Sequence, residues 1–534
     1  MNPPSLLYPM SLAPMLEGSM WVLALGIGLS LAILLWLGWR HTSQLFRPAS
    51  MIAGLVLVFY SIPALLYARH WYPIMPGGLF LTCCAAIPLF LSVYVWISRA
   101  WWAATAPSTF VAPEMGAYAR LGWPMLAWLA TLAIYLLEMP LDCTALAALR
   151  TDPSSLLLAR ELSLKWLGST PATYAYAMLV SCTAPVALWA LLTVVLAPAS
   201  SWRLRCLAVI GSACVGASLL LTGAKGNLIP TAIFLMAAWI SSAQRPWQAI
   251  RLGIGVCLIM ALGIYIIEWV QQGSTSKSYP FTSCVQRLHQ CPHATAVLKS
   301  MTRPEGALGL DHARIQQLRS ELNQACPVTA APQYPSRPIP ATSRVATRTL
   351  AKAYAARHEA GTIPQLNRME AIAYRAFVTP MQVASWYFLD RAEHGPRGWV
   401  AIPVIGRMLG TTLNMPELLY QRYGTVYSAG DATKGSTAPT SYLMGYPAYL
   451  GMAGLGIALL LVIGLDIAAC LARRYAPAEL APMIVGFSAV ASVNSMSTDF
   501  FSLLLTHGAL LAGLLTMWMT GVSLLDTARS RRSQ

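Results

Sequence analysis

From Met20 to Leu525 the chain is a series of apolar runs, most long enough to cross ~30 Å of hydrocarbon as helices, interrupted once by a polar, arginine-rich stretch from Gln272 to Gly445. The runs lie near Met20–Leu37, Met51–Ala68, Gly78–Ile97, Leu121–Leu137, Thr173–Ala197, Leu204–Leu221, Leu228–Ser242, Leu252–Val270, Tyr446–Leu471, Leu480–Met496 and Phe500–Leu525. The seventh and tenth are short. With 56% hydrophobic and only 10% charged residues, and a mean hydropathy of +0.55, the chain does not have the composition of a soluble globular domain. The expected fold is an all-α polytopic membrane protein of about eleven transmembrane helices with one large, partly helical extracytoplasmic loop. Its expected parts are an N-terminal membrane domain over 1–271, the loop domain over 272–445, and C-terminal membrane helices with a cytoplasmic tail over 446–534.

Orientation follows from the short loops, because cytoplasmic loops retain Lys and Arg during insertion. With the C-terminus inside, the inner loops hold Arg40, Arg47, Arg99, Arg120, Arg203, Arg205, Arg245, Arg251, Arg473, Arg474, Arg529, Arg531 and Arg532, and the outer ones only Arg69, Arg150, Arg160, Lys165 and Lys225. This asymmetry predicts an N-out, C-in topology and places the long insert outside. The first apolar run has no basic segment before it and no small-residue cleavage site, so it is expected to stay in the membrane.

The insert carries eighteen Lys/Arg against nine Asp/Glu, more than half of the chain's net charge of +16. Long loops are largely exempt from the topogenic charge rule. Such a surface suits lipid phosphates, pyrophosphates and anionic sugars, or is simply a solvated basic face. Within the insert, Gln272 to about Thr342 opens with turn-forming residues and ends in the proline-rich run Pro332–Pro340, which cannot be regular helix. From Ser343 to about Asp390 the spacing of Leu350, Ala353, Tyr354, Ile372, Ala376, Phe377, Val383, Ala384, Tyr387 and Phe388 is helical, with Pro380 kinking or starting a helix.

Seven of eleven cysteines fall in or beside apolar helices, where Cys acts as a small apolar residue. Cys284, Cys291 and Cys326 lie in the insert and Cys143 in another outer loop. A Cys284–Cys291 bridge is expected in an oxidising compartment, with Cys326 able to compete. His289 and His293 interleave with these cysteines, but the spacing fits no standard zinc pattern.

Four segments outside the apolar runs carry most of the chemical signal. Ala159-Arg160-Glu161, with Lys165, precedes the fifth run, where Glu161 and Lys165 stand at i and i+4. Thr222-Gly223-Ala224-Lys225-Gly226-Asn227 is a glycine-flanked turn that sets a cation at a helix N-terminus, an arrangement suited to phosphate and also common in plain helical hairpins. Arg368, Arg375, Arg391, Arg397, Arg407 and Arg422 interleave with Trp386, Tyr387, Trp399 and Tyr420. That run reads equally as a phosphate and sugar surface or as an amphipathic segment on the bilayer. Last, Pro439–Tyr446 leads into Tyr449-Leu450-Gly451-Met452-Ala453-Gly454-Leu455-Gly456, whose small residues suit close helix packing.

In order along the chain, Ala159-Arg160-Glu161, the Thr222–Gly226 turn, the late outer loop and the stretch from Gly435 through Pro439 to Gly456 resemble bacterial oligosaccharide repeat-unit polymerases of the O-antigen and exopolysaccharide type. The likeness covers about Arg150 to Leu471. Lys225 stands where that family usually has Arg, and Ser441–Gly445 lacks the acidic residue many members carry there. The resemblance implies a glycosyltransferase of the bacterial inner membrane that moves a growing glycan from undecaprenyl pyrophosphate onto another lipid-linked repeat unit. It uses no nucleotide sugar, metal or cofactor. Its expected partners are the undecaprenyl-pyrophosphate-linked glycan, membrane lipids, a chain-length regulator and a flippase, and no nucleic acid. A ligase of the O-antigen type, or a transporter of lipid-linked sugars, is the alternative.

Glycosyl transfer from a pyrophosphate needs cations on the leaving group and a base for the acceptor hydroxyl. Glu161 and Asp499 are the candidate catalytic carboxylates. Arg160, Lys225, Arg375, Arg407, Arg422 and Tyr442 are the candidate substrate-binding residues. Asp499 sits in the turn Ser497-Thr498-Asp499 between the last two apolar runs, where burial against protein can tune it. Asp466 and His507 are the ionisable residues interior to the runs. A transport pathway usually needs more.

Overall fold

A computed structural model describes residues 13–67, 78–103, 115–148, 171–196, 200–222, 228–242, 280–287, 377–410, 413–420, 440–475 and 481–505, with isolated positions at 159, 162, 316–318, 320, 321, 324, 507, 509, 510, 512–514 and 517. The described residues are helical or in turns, with no strand among them. In chain order the main helices are α1 (Ala13–Arg40), α2 (Pro48–Val56), α3 (Ile62–Tyr67), α4 (Gly78–Ile97), α5 (Met115–Glu138), α6 (Pro171–Met178), α7 (Ala184–Leu196), α8 (Trp202–Leu219), α9 (Leu228–Ser242), α10 (Phe281–Arg287), α11 (Thr379–His394), α12 (Tyr442–Leu450), α13 (Met452–Tyr475), α14 (Ala481–Asn494) and α15 (Phe500–Leu505), with short helical turns at Arg99–Ala103, Ala145–Ala148, Pro403–Met408 and Met415–Leu419. Among the described residues six helical stretches are long and apolar enough to cross a membrane: Met20–Arg40, Pro48–Leu66, Gly78–Ile97, Tyr174–Val195, Trp202–Leu219 and Met452–Tyr475. The chain is therefore an all-α membrane protein. Gly122–Glu138, Leu228–Ser241 and Ala481–Asn494 are apolar but shorter, and the expected span Leu252–Val270 lies outside the described residues.

Two of these spans are wound unevenly. Leu57–Ser61, between α2 and α3, and Leu179–Thr183, between α6 and α7, are π-helical turns, each inserting one residue into an otherwise continuous helix. The first turn points Tyr60 at the carbonyl of Met496, to which its hydroxyl donates at 2.5 Å.

The chain divides into two compact units, each drawn from separated stretches. The first contains residues 1–106, 338–474 and 491–503. In it α1 lies against α4 so closely that a methyl group on Gly26 would meet Ala85 at 3.0 Å. The helix α11, from the polar insert, packs into the same body through Phe388 on Phe80 and, just before it, Phe377 on Phe59, at ring separations of 5.3 and 5.9 Å. Every residue from Met381 to Phe388 is buried. The segment is thus enclosed on all sides, and does not lie as an amphipathic helix on the bilayer. Pro380 stands in its first turn, where a missing amide costs nothing.

The deepest polar contact of this unit joins Arg47 to Asp466 on α13, both fully buried. Arg47 Nε donates to the two carboxylate oxygens at 3.2 Å each, and Nη2 donates to Oδ2 and, at 2.8 Å, to Ser98 Oγ. Nη1 reaches Gln44 Oε1 and the carbonyl of Ser98, both at 3.3 Å. The carboxylate also accepts from Tyr94 Oη at 3.1 Å and the amide of Ala49 at 3.3 Å. Arg47, counted from sequence as one of the inner-loop charges, is the buried partner of the ionisable residue inside the ninth apolar run.

The second unit contains residues 107–337, 475–490 and 504–534. Tyr135 and Tyr176 pack at 4.9 Å in its core, and Tyr176 Oη donates to the carbonyl of Leu219 at 3.0 Å. Gly486 of α14 leaves room for Phe234 of α9, whose ring would lie 2.6 Å from an added methyl. A disulfide joins Cys143 to Cys284 across 141 residues of sequence. Arg287 on the same short helix as Cys284 pairs with Asp142 at 2.6 Å, beside the bridge. The expected Cys284–Cys291 bridge is therefore not formed: α10 holds Cys284 against the turn that carries Cys143. Cys291, Cys326, His289 and His293 lie outside the described residues.

Asp466→Asn leaves the Arg47 charge buried without its counter-ion, so a loss of about 3–5 kcal/mol is expected. Arg47→Met combined with Asp466→Leu should lose far less than the sum of the single changes, read as unfolding temperatures in detergent. Cys143→Ser opens a long loop in the unfolded chain and should cost about 2–5 kcal/mol, with thiol labelling of Cys284 appearing only in the variant.

Candidate functional site

The ninth apolar run was expected as one helix, Tyr446–Leu471. It is broken. The short α12 ends at Leu450, Gly451 takes φ +70° and ψ −144°, a conformation that L side chains rarely adopt, and α13 starts at Met452. Pro447 inside α12 and Gly451 after it give the local reason. Ser441 caps the start of α12, its hydroxyl accepting from the amide of Leu443 at 3.1 Å and donating to the carbonyl of Ser495. After the break the first turn of α13 lies so close to α12 that a methyl on Gly454 would lie 2.0 Å from the Tyr446 carbonyl oxygen. Gly454 was read as a residue for packing on a neighbouring helix; its neighbour is the preceding stub of its own chain.

The turn Ser497–Asp499 meets this corner from the other side. The amide of Tyr442 donates to the Thr498 carbonyl at 3.1 Å, and Tyr446 Oη donates to Asp499 Oδ2 at 3.0 Å. The second oxygen of Asp499 accepts from the Phe501 amide at 2.9 Å, so the carboxylate also caps α15. Burial raises the Asp499 pKa, while the Tyr446 hydroxyl and the amides of Phe501, Ser502 and Phe500 oppose the rise. A carboxylate held above its ordinary range by burial and aimed by one phenol is suited to proton transfer.

Four phenols surround it. Tyr442 packs on Tyr446 at 5.9 Å and on Phe500 at 5.4 Å, and Tyr387 of α11 packs on Tyr449 at 5.9 Å. Burial raises the pKa of each of the four, and Asp499 adds to the rise in all of them. All four thus remain neutral hydrogen-bonding groups at ordinary pH.

Arg391 reaches the same corner from α11. Its Nη1 donates to the Ala448 carbonyl at 3.1 Å, one of the carbonyls that α12 leaves open at its end, and its Nη2 would lie 3.1 Å from a methyl on Gly451. Asp390, beside it in sequence, is committed elsewhere. It is buried and takes Arg397 Nε and Nη2 at 2.8 and 2.9 Å, with His394 Nδ1 at 3.2 Å from Oδ1. Arg391 therefore brings a cation to the end of α12, two to five residues along the chain from the phenol that touches Asp499.

Of the residues selected from sequence, Asp499 and Tyr442 are brought together here. Arg407 lies in the helical turn Pro403–Met408. Glu161, Arg160, Lys225, Arg375 and Arg422 lie outside the described residues. Tyr446 and Arg391 were not singled out: Tyr446 was taken as the start of a span, and Arg391 was one of six arginines in a row. Among the described residues no group of three or more His, Cys, Asp or Glu could hold a metal. Cys284, bonded to Cys143, has no thiolate to offer one. No protein-family model, curated protein or solved structure matches the chain.

Gly454→Ala forces a methyl into backbone, so folded protein in detergent extracts should fall several-fold. Gly456→Ala, where an added methyl meets nothing within 4 Å, should leave the yield unchanged.

Proposed function

We propose that the chain polymerises lipid-linked oligosaccharide repeat units at the outer face of a bacterial inner membrane. The observation that carries this reading is the partly buried Asp499–Tyr446 pair at the corner between α12 and α13. α13 is 24 residues long, and its far end carries Arg473 and Arg474. If that end is cytoplasmic, as the charge asymmetry of the loops argues, the pair lies at the extracytoplasmic end. The disulfide in the second unit supports an oxidising compartment for the start of the insert. Eleven spans with the insert outside remain the topology this reading uses.

In the reaction, Asp499 accepts the proton of the acceptor sugar hydroxyl as that oxygen attacks the anomeric carbon of the donor glycan. The bond from that carbon to phosphate breaks, and undecaprenyl pyrophosphate leaves with the electron pair. Tyr446 orients the carboxylate. Cations offset the charge that grows on the departing phosphate, a role for Arg391 at this corner and for Lys225, Arg375 and Arg160 of the sequence reading. Glu161 is the second candidate base. Arg407, Arg422 and Tyr442 are assigned to substrate binding, Tyr442 through the wall it forms beside Tyr446.

Asp499→Asn should abolish long glycan while leaving the single-repeat product, resolved by chain length on a gel from cells with equal protein level. Disappearance of the single-repeat band in a deletion strain would favour the ligase or flippase reading. With purified protein and a lipid-linked repeat unit, the polymerisation rate should rise with pH as Asp499 loses its proton. Tyr446 lowers the Asp499 pKa, so Tyr446→Phe should move that limb to higher pH as well as slow the reaction.

A further inference from the structure

The far end of α13 holds a second constellation that the proposed reaction does not use. Arg473, in the last turn, is only 7% exposed and stacks on Trp102, its guanidinium carbon 4.7 Å from the ring centroid. Its Nε is fully buried with no hydrogen-bond partner, and the side chain pairs with no carboxylate among the described residues. Asp466, two turns back on the helix, cannot serve it, because both its oxygens are taken by Arg47, Tyr94 and the Ala49 amide. The Arg47 guanidinium carbon lies 5.8 Å from the same Trp102 ring. Two guanidiniums and one carboxylate therefore meet at Trp102, leaving one buried positive charge uncompensated among the described residues.

A buried cation without a counter-ion is costly, and an anion that reaches it removes the cost. The surroundings identify the anion's source. Trp36, Trp96 and Trp101 on this end of the unit are exposed, and Arg99 lies over the Trp36 and Trp96 rings at 5.9 and 5.3 Å. Exposed tryptophans interleaved with arginines mark the headgroup level of a bilayer. The flanking faces of α1 and α13 expose Leu35 and Leu460, as lipid-facing helices do. We propose that Arg473 and Trp102 form a binding site for the phosphate of an anionic phospholipid headgroup. The guanidinium forks the phosphate oxygens, and the tryptophans hold the acyl boundary beside it.

The test uses the full chain in a zwitterionic detergent, with phosphatidylglycerol or phosphatidylcholine added as mixed micelles and the unfolding temperature followed against lipid fraction. Phosphatidylglycerol should stabilise the wild type at a fraction roughly tenfold lower than phosphatidylcholine, as befits a charge-assisted forked contact. Arg473→Gln should abolish that preference, while Arg474→Gln, an exposed neighbour with the same formal charge, should retain it. Arg473→Lys, which keeps the charge without the fork, should weaken it several-fold and carries the test should the Gln variant fail to fold. Equal response of the wild type to the two lipids overturns the proposal whatever the variants do, as does an Arg473→Gln protein that still prefers phosphatidylglycerol. Inorganic phosphate that reproduces the stabilisation at the same concentration would assign the site to a soluble anion and overturn the lipid assignment.

Discussion

The first unit depends on a charge pair that cannot be hydrated. Arg47 and Asp466 are both fully buried and 419 residues apart, so the contact fastens the turn before α2 to the longest apolar helix of the C-terminal part. Each nitrogen of the guanidinium finds an acceptor, and the carboxylate collects a phenol and an amide besides. Burial of an ion pair gains little net stability over apolar packing, yet it tolerates no other register, because a shift of one residue strands two charges. The corner that holds Asp499 and Tyr446 is set by where α13 starts, and the pair fixes where α13 stands.

The sequence disclosed the class of fold through composition and run length, and the described helices follow most of those runs within a few residues. It disclosed the helix α11 through the spacing of Val383, Ala384, Tyr387 and Phe388 and the proline before them. What it concealed were features that depend on a partner distant in the chain. Arg47 looks like any loop arginine until Asp466 is beside it. Cys284 looks paired with its near neighbour Cys291 because closeness in sequence is the only distance a sequence displays. The break at Gly451 was visible as glycine and proline, but small residues in an apolar run serve close packing as readily as a corner.

At the site the legible part was Asp499, a carboxylate in a tight turn between apolar segments. Tyr446 was hidden by its assignment to a span, since a residue taken to lie in lipid is not searched for chemistry. Arg391 was hidden among similar residues: six arginines in a row carry the same signal, and only the end of α12 distinguishes one from the rest. Arg397 shows the same effect from the other side: one of that row of arginines, it proves to be taken by Asp390.

The bridge between Cys143 and Cys284 sets an order of events during biosynthesis. The helices α6 to α9 lie between the two cysteines, so the first thiol waits while that long stretch of chain is made. Only when α10 has been made can the bond close. Until then Cys143 is available to any other thiol it meets. Correct pairing in this unit is therefore a matter of timing as much as of geometry.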